Sequence, residues 1–356
     1  MTSGGPLVGI RADASGPMGG GHIMRCLAVA DAFARRGARP VFLSHPDSER
    51  AAPALGRCGW PVLAVPSPTE PIAGILEEAG VGLLDILLID HYDIDARQEG
   101  SLGQSARMLM AIDDLPDRRH DCDLLVDLRD DAVSQQSRAP GARVLGGLAY
   151  APLRPEFAQM RPESLSRRRA EGDCRRLLVS LGLTDPGGIT LRIVTSLLPL
   201  GADLVLDVVV GPRAPSLPGL MEISAADPSV TTHVDPPDVA GLMAAADLAV
   251  GAGGTTSWER CCLGLPSVII QLADNQAPNI VMLTGMGAAV LASAAGEPGV
   301  AVQLRALRAD GRRRRAMSLN AARLCDGDGA GRVADAALKM LSGGARPGRR
   351  EPSFRS

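Results

Sequence analysis

The sequence predicts an α/β protein made of two similar halves with a cleft between them. Three observations predict it. Short apolar runs of strand type alternate with helix-type segments from Leu7 to Leu128. The alternation breaks over residues 150–176, where YAPLRPEF is proline-interrupted and Arg161, Arg167, Arg168 and Arg169 make the chain basic, and it restarts at Leu177. Finally, 356 residues are many for one core, since domains commonly run to roughly 100–200 residues.

In the first half, Leu7 to Ile10 form an apolar run, followed by a glycine-rich turn and the amphipathic stretch GGGHIMRCLAVADAF. Residues 41–44 and 62–65 are brief β-type runs, and Thr69, Glu70 and Pro71 make a helix start before IAGILEEAG. DILLI is continuously apolar after its first residue, as a strand covered on both faces should be, and it ends in Asp90-His91-Tyr92-Asp93. Strands at 108–112 and 124–128 follow, the first ending in Asp113-Asp114. Strands ending in polar clusters mark one sheet edge as the place where functional groups collect.

The basic segment after Tyr150 reads as a solvated connector rather than a binding patch. Beyond it come a strand at 177–180, the loop LGLTDPGG, a helix at 189–198 and a strand at 204–210. A helix at 238–246 and a strand at 248–250 lead into Gly251-Ala252-Gly253-Gly254-Thr255-Thr256. A helix through Trp258 to Cys261 and a strand at 267–271 then deliver Asp274-Asn275-Gln276. Residues 300–307, 312–324 and 333–341 have helical character. The expected domains are therefore 1–157 and 177–342, with a linker at 158–176 and a disordered tail at 343–356.

Composition narrows the function. Aromatics are 2% and the net charge is -3, so stacking platforms and a phosphate-backbone surface for nucleic acid are not expected. No apolar run approaches the roughly 20 residues of a membrane helix, and Asp13 interrupts the apolar core that a signal peptide would need. Seven cysteines, odd in number and never spaced as paired zinc knuckles, read as reduced thiols. We expect a cytoplasmic monomer with no nucleic-acid partner and no stable membrane association.

Both glycine loops fail the dinucleotide fingerprint, because Met24 and Thr256 stand where its third glycine belongs, and neither is followed by a Walker lysine. The second loop keeps anion chemistry: backbone N–H groups at a helix start, with Thr255, Thr256 and Ser257 hydroxyls, suit a diphosphate. Glu259, one turn in, is placed to accept from ribose hydroxyls. The competing reading is that Thr255 or Thr256 caps the helix and Glu259 completes the cap. LGLTDPGG is likewise either a second phosphate loop or a turn capped by Thr184 or Asp185.

His22 is either a part-exposed polar residue or a general base. The glycines before it let a ligand approach the backbone, and a helix N-terminus disfavours imidazolium, which keeps the ring able to accept a proton. Asp-x-Asp pairs such as Asp93/Asp95, Asp121/Asp123 and Asp326/Asp328 read as loop solvation and caps, so neither a metal nor another cofactor is expected.

Taken in order, RADASGPMGGGHIMRCLAVADAF, IDHYDID, AIDDLPDRRHDCDLLVD, YAPLRPEF, VSLGLTDPGG, AADLAVGAGGTTSWERCCLGLP and LADNQ resemble the PseG/SpsG family. These are UDP-sugar hydrolases of pseudaminic acid biosynthesis related to the MurG-type glycosyltransferases. The resemblance runs from Arg11 to about Ala289 and implies a GT-B fold, two Rossmann-like domains facing across a cleft. It implies a substrate, UDP-2,4-diacetamido-2,4,6-trideoxy-β-L-altropyranose, split by water into UDP and free sugar without a metal. His22 matches the catalytic histidine and Glu259 the nucleotide-binding glutamate. By the same resemblance Gly253, Gly254, Thr255, Thr256 and Ser257 hold the diphosphate, while Asp13, Gly21, Tyr92, Asn275 and Gln276 line the sugar and phosphate pocket. One departure stands out: many relatives carry Gly-Gly-Ser/Thr-Asp followed three residues on by asparagine, and here Gly182-Leu183-Thr184-Asp185 is followed by Gly188, which bears on the identity of the sugar. The alternatives are a transferase of the same fold and a non-catalytic nucleotide-sugar binder.

Overall fold

The computed structural model describes residues 4–343 apart from positions 17, 116, 130–135, 170–171, 186, 202 and 293–296. Residues 344–356, most of the expected tail, lie outside the described residues.

Two parallel sheets carry the chain. The first contains β1 (Leu7–Ala12), β2 (Arg39–Ser44), β3 (Val62–Ala64), β4 (Leu84–Asp90), β5 (Ala106–Ile112), β6 (Leu124–Asp127) and β7 (Arg143–Gly146). Its spatial order is β3-β2-β1-β4-β5-β6-β7. The second contains β8 (Arg176–Ser180), β9 (Val205–Val210), β10 (Val230–Val234), β11 (Leu248–Ala252), β12 (Ser267–Ile270) and β13 (Ala289–Leu291), in the order β10-β9-β8-β11-β12-β13. Both are doubly wound: the order reverses between β1 and β4 in one sheet and between β8 and β11 in the other. Ligands of such sheets bind at the carboxyl ends of the strands at that reversal.

The strands read as apolar runs because helices cover both faces. In β4 every residue but Asp85 is buried, and Asp85 sits at the strand's start, where its carboxylate accepts the Leu7 N–H at 2.8 Å. The register pairs Ala12 of β1 with Asp90 of β4. Asp13 and His91, one residue further along each strand, are thereby brought alongside each other.

The short elements at 143–146, 217–226, 230–234, 277–285 and 289–291 complete the alternation at positions where local pattern carries no clear signal. Two parts of the expected partition change. The first compact unit comprises residues 1–15, 22–154 and 328–356, and the second comprises 16–21 and 155–327.

The expected linker at 158–176 is largely a helix, Pro155–Arg169. Pro155 occupies its first turn, where no N–H is needed. The arginines taken for solvation are hydrogen-bond donors: Arg161 donates to the carbonyls of Ala322 at 2.7 Å and Cys325 at 2.9 Å. Arg168 donates to those of Leu263, Ala246 and Met243 at 2.7–2.9 Å.

The last described helix, Gly329–Ser342, groups with the first unit and not with the second. Its Asp335 takes both arms of Arg36 at 2.6 and 2.7 Å, and its Arg332 donates to the Ala149 carbonyl at 2.8 Å.

Candidate functional site

The first unit gathers its charged groups where the strand order reverses. Helix α1 (Gly21–Ala34) follows β1 and carries His22 in its first turn. Residues three and four apart share a helix face, so Arg25 and Cys26 lie on the side of His22, toward the end of β4. His22 is 5% exposed, which removes the reading of a part-exposed polar residue.

His22 Nδ1 stands 2.6 Å from Asp90 Oδ1. A carboxylate only accepts, so Nδ1 carries the hydrogen and, in the neutral ring, the lone pair is on Nε2. Asp90 is held in turn by Arg25, whose Nε donates to Oδ2 at 2.5 Å and Nη2 to Oδ1 at 2.6 Å. The Cys26 thiol donates to Oδ2 at 3.5 Å. Burial by itself would push the Asp90 carboxyl up, but the Arg25 charge, His22 and their hydrogen bonds outweigh it and hold the group well below the usual carboxylate range. Asp90 is thus a fixed anion behind the imidazole.

Arg25 also reaches Asp114 through Nη1 at 3.0 Å. The other Asp114 oxygen accepts the Tyr92 hydroxyl at 2.9 Å. Tyr92 sets its ring edge-on to the His22 ring, with centroids 4.5 Å apart and planes at 84°. Burial, and then the Asp114 charge, push the Tyr92 hydroxyl upward, so it stays protonated and donating. Hydrogen bonds and ring contact together fix the imidazole plane.

Asp13 departs from its expected role in the pocket. Its Oδ1 accepts from Arg11 Nη1 at 2.5 Å and the His45 N–H at 2.7 Å; its Oδ2 accepts from Arg11 Nη2 at 2.9 Å and faces His91 Nε2 at 3.1 Å. Four hydrogen bonds from three residues occupy the four lone-pair positions of the carboxylate. Asp13 therefore ties β1 to the ends of β2 and β4, and its carboxylate has no acceptor position left for a sugar.

In the second unit, β11 runs into Gly253 and Gly254, and the helix Thr256–Cys262 follows at once. Glycine is needed beneath this turn: a Cβ on Gly251 would lie 2.2 Å from Arg260 Nη1, and one on Gly253 would lie 2.6 Å from the Ile280 side chain. Arg260 is buried and donates to the Ala252 carbonyl at 2.7 Å and the Ser257 hydroxyl at 3.0 Å. Burial lowers its guanidinium to about 10. It braces the loop from inside.

The expected diphosphate contacts separate accordingly. Ser257 is buried and donates to the Ala252 carbonyl at 3.2 Å, so its hydroxyl serves the loop itself. The Gly253 N–H goes to Gln276 Oε1 at 3.3 Å, and the Leu272 N–H reaches the same oxygen at 3.0 Å. Gln276 therefore clamps two strand ends. Gly254, Thr255, Thr256 and Glu259 are half-buried at the turn, and Asn275 is exposed on the short turn Asp274–Gln276. Thr255 makes no side-chain capping bond, which weakens the reading of this loop as a plain helix cap. In LGLTDPGG the turn reading prevails: Asp185 adopts φ 41°, accepts the Thr190 N–H at 3.1 Å and takes the Ser216 hydroxyl. Gly21, the first residue of α1, groups with the second unit.

Asp90 and Asp114 were read from the sequence only as members of strand-end polar clusters, without a role of their own, and Arg25 was not singled out. Asp90 had a visible signal, as the polar residue ending an apolar strand, and Arg25 had another, at three residues from His22.

No family model matches the chain. Over 303 residues it is 26% identical to the spore coat polysaccharide biosynthesis protein SpsG of Bacillus subtilis, across 80% of this chain and 82% of that one. The chain is similar to SpsG. MurG of Acinetobacter baumannii aligns with a TM-score of 0.64 at 16% identity, covering 94% of this chain and 100% of MurG. The UDP-GlcNAc 2-epimerase of Neisseria meningitidis, solved with UDP-GlcNAc, aligns at 0.64 and 10% identity, covering 94% and 99%. These likenesses establish the expected GT-B-like two-domain α/β fold.

Proposed function

We propose that this protein processes a UDP-linked sugar for polysaccharide synthesis, and specifically that it hydrolyses UDP-2,4-diacetamido-2,4,6-trideoxy-β-L-altropyranose or a close analogue to UDP and free sugar. The observation that carries the reading is the buried Asp90–His22 pair, with Nδ1 committed to the carboxylate. An imidazole so oriented takes a proton at Nε2, and the anion behind it stabilises the imidazolium that forms.

In the proposed reaction, a water oxygen bonds to the anomeric carbon while its proton passes to His22 Nε2. The bond from that carbon to the UDP oxygen breaks, and UDP leaves with the electron pair. Loop donors at Gly254, Thr255 and Thr256 stabilise the developing charge on the diphosphate, and Glu259 accepts from the ribose. Similarity to SpsG and the UDP-sugar bound to a protein of the same fold support the substrate class. The departure at Gly188 bears on which sugar is accepted.

The test is incubation with candidate UDP-sugars in oxygen-labelled water, with and without acceptors. Attack at carbon puts the label in the sugar; label in UDP, or sugar passed only to an acceptor, overturns hydrolysis at carbon. His22→Gln should retain UDP affinity and lose most turnover, whereas Glu259→Ala should weaken UDP in calorimetry. Near-normal turnover in the first variant removes His22 from the mechanism, and unchanged UDP affinity in the second removes Glu259 from the nucleotide site.

A further inference from the structure

The turn that carries Tyr92 is fastened by a residue that the proposed reaction does not use. Residues 91–94 join the end of β4 to the helix Ala96–Leu102, whose first turn is capped by Asp95. The Asp93 N–H donates to His91 Nδ1 at 3.0 Å, which puts the hydrogen of the neutral His91 ring on Nε2, facing Asp13 Oδ2 at 3.1 Å. Arg118 closes the turn from the other side. Its Nη2 donates to the His91 carbonyl at 3.3 Å and to the Ile94 carbonyl. One guanidinium nitrogen thus holds the first and the last residue of the turn.

The same guanidinium lies over the Tyr92 ring, with Cζ 6.0 Å from the ring centroid, within reach of a cation–π attraction. Tyr92 is therefore held at its hydroxyl by Asp114 at 2.9 Å and at its face by Arg118, while it meets His22 edge-on with centroids 4.5 Å apart. Bonds to the two carbonyls alone would tie the loops together. The charge over the ring adds a constraint on one side chain, and that side chain touches the imidazole.

Arg118 is anchored in turn by the buried network around His120. Its carbonyl accepts Arg138 Nε at 2.8 Å, and its Nη1 stands 3.6 Å from Asp113 Oδ2. Arg138 is buried and donates through its other two nitrogens to Asp127 at 2.6 Å and Asp113 at 2.8 Å. His120 bridges Glu99 and Asp113, and its N–H donates to the Arg138 carbonyl at 2.9 Å. A rigid base of this kind lets a long side chain keep one orientation.

We propose that Arg118 is a positioning residue: it holds the Tyr92 ring against His22, and through that ring it fixes the plane of the imidazole for proton transfer. The inference rests on the proposed hydrolysis for its effect on rate and on the contacts alone for its effect on His22. A loosened Tyr92 frees the imidazole to turn about its bond to Asp90, which moves Nε2 away from the attacking water. Asp90 still holds Nδ1, so the loss should be about tenfold, below the roughly 10²-fold that a full 1 Å misplacement costs.

The test is a double-mutant cycle on the full chain with Arg118→Met and Tyr92→Leu. Methionine keeps an apolar stem and removes the donors and the charge. Arg118→Met should lower kcat about tenfold and change KM by less than about twofold, and it should have little further effect in the Tyr92→Leu background. Equal losses in the two backgrounds would overturn the proposal, because Arg118 would then act by a route that does not pass through Tyr92. A second arm needs no turnover: NMR of ring-labelled histidine, with the His22 signals assigned by their absence in His22→Gln. The Tyr92 ring current displaces those signals, so Arg118→Met should move them toward their positions in Tyr92→Leu; unmoved signals also overturn the proposal. If no UDP-sugar is hydrolysed, the proposed function fails while the NMR arm still reads the clamp. Should Arg118→Met not fold, Arg118→Gln, which keeps a donor for one carbonyl and loses the charge, is read in the same two ways.

Discussion

Replacing Asp90 by asparagine tests the chemistry of the first unit most directly. Oδ1 accepts from His22 Nδ1 and Arg25 Nη2, both at 2.6 Å, and Oδ2 accepts from Arg25 Nε at 2.5 Å. Asparagine keeps the shape but turns one oxygen into a donor. An amide nitrogen in the Oδ2 position faces the Arg25 Nε–H. In the Oδ1 position it faces His22 Nδ1 and drives the ring to the other tautomer, with the hydrogen on Nε2. Each orientation also removes the charge of Asp90 from Arg25 and leaves Asp114, at 3.0 Å, as its remaining counter-ion. Breaking a buried pair costs about 3–5 kcal/mol, which lowers the midpoint of a domain of this size by roughly 6–20 °C. Turnover should fall by a factor of about 10²–10⁴, the range for loss of a positioned base and its orienting carboxylate. The assays, both on the full chain, are UDP release from the accepted UDP-sugar at about 15 °C, where the variant stays folded, and thermal denaturation followed by circular dichroism. Wild-type turnover with an unchanged midpoint would refute the argument, because it would mean that neither His22 nor Arg25 depends on Asp90.

A second buried network sets a pH dependence. His120 lies between Glu99 Oε1 at 2.7 Å and Asp113 Oδ2 at 2.8 Å, with the Arg138 guanidinium 3.3 Å from Nε2 and Arg118 beside Asp113. Burial lowers its pKa, but the hydrogen bonds and charges of Asp113 and Glu99 outweigh it, and the net direction is up. Its contribution to stability is therefore complete below an unfolded value near ~6.5 and is lost as pH rises through the higher folded value. Urea unfolding at pH 6 and pH 9 should show a larger loss in the wild type than in His120→Gln; equal losses would remove His120 as the source. Gly251→Ala puts a methyl group 2.2 Å from Arg260 Nη1, and overpacking of this kind costs about 1–3 kcal/mol. Chemical denaturation should register that loss, and UDP affinity should fall with it if Arg260 braces the nucleotide loop; wild-type values for both would show that the guanidinium simply moves aside.

The strands at 41–44, 85–89, 108–112, 177–180 and 204–210 were legible because an apolar run bounded by turn residues is a local signal. So was the position of His22 after a strand and a glycine turn. Its partners were not legible: Arg25 meets Asp90 across 65 residues and Asp114 across 89, and nothing in local periodicity says which carboxylate meets which guanidinium. The helix Pro155–Arg169 was misread for a related reason. Its arginines satisfy carbonyls up to 164 residues away, so a composition typical of a solvated connector belongs to a packed helix.

The sequence by itself determined the alternation of strands and helices, its division into two α/β halves and the loops on which chemistry is expected, since all of these follow from short-range pattern and backbone preference. Only the tertiary structure decided the charges. It saturated Asp13, fixed Asp90 behind His22, placed Arg260 under the glycine loop and sent the last helix back to the first unit. Electrostatic pairing depends on distance in space, and the strand register and order that set those distances come from the packed sheets.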